Sequence, residues 1–219
     1  MRTIHPETSI HGRVLVEDAA GGSLTRLLVV FHGYAQGAED ALADARRIPG
    51  ADGWTIASAQ ALHPFYARDQ RTVIASWMTR QDRDLAIADN VAYVDRVIEQ
   101  IAPAPAALVF AGFSQGAAMA YRAAVLGARR ANGVIALGGD IPPELRPAAP
   151  DRWPAVLIGA GQSETWYTPA KLEIDLAFLR TRDVRHEVVR FAGGHEWTDE
   201  FRAAAGAWLS RIGASAGRS

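Results

Sequence analysis

The chain contains no cysteine in its 219 residues. That excludes disulfides, a thiolate nucleophile and any cysteine metal site. It leaves the redox compartment open. Charge of either sign is scarce in excess. Net charge is −1, and no basic run offers an electrostatic footprint for nucleic acid. No apolar run is long enough to span a bilayer, and the N-terminal "MRTIHPETSIHG" lacks a signal core. A cytoplasmic protein without a transmembrane segment is the expectation. Hydrophobic residues make up 49% and charged residues 21%. This is ordinary globular composition, enough for one domain with a large core.

Strand-like and helix-like segments alternate. "RLLVVFHG" (26–33), "AALVFAGF" (106–113), "GVIALGG" (133–139) and "AVLIGAG" (155–161) are apolar runs suited to strands covered on both faces. "RVLVED" (13–18), "WTIASAQA" (54–61) and "RHEVVRF" (185–191) complete the set of strands. Helices are predicted over 38–47, 84–102, 115–127, 169–181 and 197–212. Pro169 suits a first helical turn, and Pro103 and Pro105 close the second helix. Residues 62–83 show no period and are expected to be a long loop. The alternation predicts a single α/β domain over residues 1–219, with a mostly parallel central sheet flanked by helices. Only "DIPPELRPAAPDRWP" (140–154) separates two of the late strands, so no cap domain is expected.

Within "ALVFAGFSQGAAMAYRAA" a lone hydroxyl, Ser114, stands between Gly112 and Gly116, where a strand gives way to a helix. A serine hydroxyl is a poor nucleophile unless a base takes its proton and donors hold the resulting oxyanion. A sharp strand-to-helix turn lifts Oγ clear of the sheet and aims a helix N-terminus at the reacting carbon. Glycines two residues to either side relieve the crowding. A glycine-rich turn packed for steric reasons, or one binding phosphate, is the alternative. The latter lacks both the G-K-[ST] ending and the G-x-G-x-x-G spacing.

A serine nucleophile calls for a later histidine after a late strand. Of six histidines, His195 in "FAGGHEW" occupies that place. His32 ends an earlier strand and is expected to brace its loop. The imidazole needs a carboxylate to fix its tautomer. Asp140 and Glu164 each follow a strand and keep the order serine, acid, histidine. Glu164 is favoured, because its loop follows the second strand beyond the nucleophile. The backbone amides of Gln115 and Tyr34 are the candidate oxyanion donors. Phe65, Trp77, Met78 and Trp166 are candidate walls of a substrate pocket.

With "FHGYAQGAED", "GFSQGA", "GQSETWYTP" and "GGHEW" in this order, the chain resembles the phospholipase/carboxylesterase family of α/β-hydrolases. That family includes acyl-protein thioesterases and small bacterial carboxylesterases. The resemblance covers most of residues 26–212. It implies the α/β-hydrolase fold, Ser114 as nucleophile, His195 as base, and Tyr34 and Gln115 as oxyanion donors. It implies no metal and no cofactor. The expected activity is hydrolysis of carboxylic esters or thioesters through a Ser-His-Glu triad and an acyl-enzyme. A binding protein on the same fold, amide hydrolysis and acyl transfer are the other readings, and a homodimer is left open. Two departures stand out: glutamate at 164 where the family more often carries aspartate, and Met78-Thr79 after Trp77 where it often carries an aromatic and an aspartate.

Overall fold

A computed structural model of the chain describes residues 1–22 and 25–216. The frame is a seven-stranded sheet. Its strands are β1 (Val14–Glu17), β2 (Arg26–Phe31), β3 (Thr55–Ala59), β6 (Ala107–Phe113), β7 (Gly133–Leu137), β8 (Ala155–Gly161) and β9 (His186–Phe191). The spatial order is β1-β3-β2-β6-β7-β8-β9. Only β1 runs antiparallel to its neighbour. The helices are α1 (Ala38–Arg46), α2 (Arg83–Ile101), α3 (Gln115–Leu126), α4 (Pro169–Thr181) and α5 (Asp199–Ala216).

Side chains alternate across the pleat, so each central strand feeds two cores. Leu27, Val29 and Phe31 of β2 and Leu108 and Phe110 of β6 join the face covered by α2, α3 and α4. Leu28 and Val30, with Val109 and Ala111, join the face covered by α1 and α5. Trp208 and Phe201 of α5 fill that second face. This double burial explains why the middle strands read as continuous apolar runs. Thr168 caps α4 by accepting from the Lys171 amide, and Pro169 occupies its first turn. Between β7 and β8 stand two short 3-10 turns, Pro143–Leu145 and Pro150–Arg152, and no cap domain. Among the described residues no helix is long and apolar enough to cross a membrane.

One expectation is corrected. Residues 62–83 are not a structureless loop, because β4 (His63–Tyr66) and β5 (Val73–Ser76) pair there as an antiparallel hairpin. Its turn is held by Asp69, whose carboxylate accepts from the amides of Arg71 and Thr72. All four residues of β4 are exposed, so no buried face imposes the alternation that marks a strand in sequence. A bridge from Ala75 to Gln36 ties the hairpin to the loop after β2.

Candidate active site

Ser114 sits at the end of β6, immediately before α3, with φ 55° and ψ −118°. This is a strained conformation for a residue with a Cβ. Its amide donates to the Leu137 carbonyl at 2.8 Å, which locks the turn against the neighbouring strand. The flanking glycines are required by contact. A Cβ on Gly112 would overlap the Gly116 carbonyl, and one on Gly116 would overlap the carbonyls of Phe31 and His32. Helix α3 therefore begins pressed against the end of β2.

The ends of β8 and β9 are stitched together. Gln162 donates to the Phe191 carbonyl at 2.9 Å, and Ser163 to that of Gly193 at 2.8 Å. The stitching brings the loop of Glu164 beside the loop of His195. His195 Nδ1 lies 2.6 Å from Glu164 Oε2. Glu164 Oε1 accepts from the Trp166 amide at 2.7 Å. The Glu164 carboxylate is nearly inaccessible (side chain 1% exposed), whereas the imidazole is 25% exposed. Burial pushes the Glu164 pKa up. The amides of Trp166 and Tyr167 and the His195 ring more than offset this and hold it below the usual carboxylate range. A carboxylate only accepts, so the proton of this pair sits on Nδ1 and Nε2 keeps its lone pair.

Asp140 points elsewhere. Its half-exposed carboxylate lies 3.8 Å from Lys171 Nζ. Of the two candidate acids, Glu164 is the one against the imidazole. The sequence reading missed two supports of the ring. Phe113 packs on it with centroids 4.7 Å apart. Gly138, with φ +64°, leaves room where a Cβ would crowd both His195 and Glu164. The "GG" at the end of β7 was the signal for the latter.

Ser114, Gln115, Tyr34, Trp166 and His195 line one open cavity of about 480 Å³, with Asp140 and Lys171 on its rim. In the run Gly33–Gln36, the Gly33 amide donates to Gln36 Oε1, that of Ala35 to the Ala75 carbonyl, and that of Gln36 to the Gly33 carbonyl. The Tyr34 amide between them has no acceptor among the described residues. His32 is buried and braces this loop. The Ala61 amide donates to its Nε2, so Nδ1 carries the proton and donates to the Gly33 carbonyl at 2.7 Å. Burial holds the His32 pKa down, in keeping with a neutral ring.

The four candidate wall residues separate. Trp166 is on the cavity and 72% exposed. Phe65 lies on the exposed strand β4, its ring 6.1 Å from that of Tyr34. Trp77 does not line the cavity. It is fully buried in the core, edge-on to Phe31. Met78 is partly buried against the same core. Hydrogen bonds from Trp77 to the His32 carbonyl and to Gln115 hold this segment inward, which the sequence does not reveal.

The phospholipase/carboxylesterase family model matches residues 25–153. No curated protein matches the chain by sequence. Among solved structures, esterase PE8 is similar at a TM-score of 0.73 and 22% identity, over 93% of this chain and 100% of that one. The carboxylesterase of Mesorhizobium loti aligns at 0.72 and 20% identity, over 91% and 93%. The Bacillus cereus carboxylesterase aligns at 0.72 and 15% identity, over 92% and 94%. At these identities the structures speak for the shared α/β-hydrolase fold. The family match extends over more than half of the chain and spans the Tyr34 and Ser114 motifs. On that ground, the chain belongs to the phospholipase/carboxylesterase family and is a serine hydrolase on the α/β-hydrolase fold.

Proposed function

We propose that the protein is a carboxylesterase that cleaves small carboxylic esters through an acyl-enzyme on Ser114, with His195 as base and Glu164 as its orienting carboxylate. The observation that carries this is the 2.6 Å contact between His195 and Glu164, with His195 and Ser114 lining the same cavity. Oγ of Ser114 attacks the ester carbon while its proton passes to His195 Nε2. The carbonyl π bond breaks onto oxygen, and the oxyanion is held by the amides of Tyr34 and Gln115. Collapse breaks the ester bond, and the leaving alkoxide takes the proton back from Nε2. Water then attacks the acyl-enzyme, again giving its proton to His195. The second collapse frees the carboxylic acid and returns the proton to Oγ. Glu164 stays ionised throughout and stabilises the imidazolium.

The same reading takes residues 1–219 as one domain, supported by a seven-stranded sheet that carries both cores, and places it in the cytoplasm. The cavity is open and carries no cap, which suits small esters; thioesters and amides are the comparison substrates. In the test, Ser114→Ala is assayed with short p-nitrophenyl esters and a fluorophosphonate probe. Hydrolysis and labelling both disappear while circular dichroism is unchanged. Hydrolysis that survives in a folded Ser114→Ala protein overturns the assignment.

A further inference from the structure

Trp77 is far from Ser114 in sequence and off the cavity, yet it bonds to both sides of the site. Its indole Nε1–H donates to the His32 carbonyl at 2.9 Å, two residues before Tyr34. Its backbone N–H donates to Oε1 of Gln115 at 2.9 Å. The Gln115 amide group returns the grip, with Nε2 donating to the Met78 carbonyl at 3.0 Å and to Ser76 Oγ at 3.2 Å. The Trp77 carbonyl is itself held by Asn90 of α2 at 2.8 Å. One residue earlier than Ser76, Ala75 accepts from the Ala35 amide at 3.1 Å and donates to the Gln36 carbonyl at 2.9 Å. Residues 75–78 thus bridge the loop that presents the Tyr34 amide and the helix that presents the Gln115 amide.

We infer that Trp77 is a positioning residue, whose side chain and backbone set the spacing between the Tyr34 and Gln115 amides. The inference rests on the reading of those amides as oxyanion donors. Such donors lower the barrier only when they are already fixed where charge develops, and displacement by about 1 Å costs on the order of 10²-fold. The loop after β2 and the first turn of α3 belong to different elements. Trp77 reaches the first through its indole and the second through its amide. A buried indole N–H needs some acceptor, so a role in packing alone is the competing explanation. Packing alone gives no reason for the side chain of Gln115 to be tied to the same three residues.

The test uses Trp77→Phe, which keeps an aromatic ring and removes the bond to His32. Gln115→Met keeps the backbone amide and removes the side-chain grip, and it reads the same link should Trp77→Phe not fold. Active sites are counted by fluorophosphonate titration, so that kcat refers to folded enzyme only. The expected result in each variant is kcat lower by about 10-fold with KM within twofold. The Ki of phenylboronic acid, whose tetrahedral adduct fills the oxyanion position, rises by the same factor. A kcat per titrated site within twofold of wild type, with unchanged boronate affinity, overturns the inference alone. Failure of the wild type to label at Ser114 overturns the functional reading, and this inference falls with it.

Discussion

Glu164 Oε2 accepts a 2.6 Å hydrogen bond from Nδ1 of His195, 31 positions further along the chain. The two residues meet because β8 and β9 are parallel neighbours whose C-terminal loops are hydrogen-bonded to each other. The bond selects a tautomer, and a selected tautomer has measurable consequences.

Replacing Glu164 by Gln keeps the shape of the side chain but lets an amide N–H face the ring. The wrong tautomer is then stabilised, and Nε2 is no longer free to take a proton. The expected loss in kcat is about 10³–10⁴-fold with little change in KM, by analogy with the serine-protease triad. Steady-state kinetics on a p-nitrophenyl ester decides it. The carboxylate is held below its ordinary range when folded, so it contributes stability above roughly pH 4.3, lost as pH falls through the lowered value. The variant's denaturation midpoint should accordingly be the flatter of the two below that pH.

Asp175 carries the opposite sign. It is buried on α4, and its Oδ2 accepts from the Ile141 amide and the Tyr167 hydroxyl, both at 3.0 Å. It therefore clamps the loop after β7 to the loop that holds Glu164. Burial raises its pKa to about 6, against the pull of those two bonds and of Arg146. The folded state binds the proton more tightly than the unfolded chain, so stability falls as pH rises from about 4 through about 6. Asp175→Asn keeps an oxygen for both donors and removes the charge. Relative to wild type, its unfolding free energy should rise by about 1–1.5 kcal/mol between pH 5 and pH 7.5, the part of the titration that lies above pH 5. Urea titrations at the two pH values measure this, and parallel curves would refute it.

Trp166 lines the cavity with most of its side chain exposed. Trp166→Ala should leave stability within about 0.5 kcal/mol. KM for p-nitrophenyl butyrate should rise about 3- to 10-fold with kcat nearly constant, the pattern of a residue that binds ground and transition states alike. A fall in kcat at constant KM would place the indole in the chemistry instead.

The sequence by itself determined the parts of the molecule governed by local rules. Runs such as "RLLVVF" and "ALVFAGF" can be stable only when both faces are covered, so the parallel sheet was readable strand by strand. The glycine–serine–glycine turn was readable because a sharp strand-to-helix turn tolerates few other residues at those positions. Histidine 195 was readable from its place after a late strand. Strand order favoured Glu164 over Asp140, and the hydrogen-bonded ends of β8 and β9 bring Glu164 against that histidine. Tertiary structure alone decided the fate of residues 62–83. The exposed strand β4 leaves no hydrophobic period, and Trp77, just after β5, is bonded into the core rather than lining the cavity. Local sequence specifies what a segment can bury; which distant segment it meets depends on strand order and register, and these are set by the packing of the whole chain.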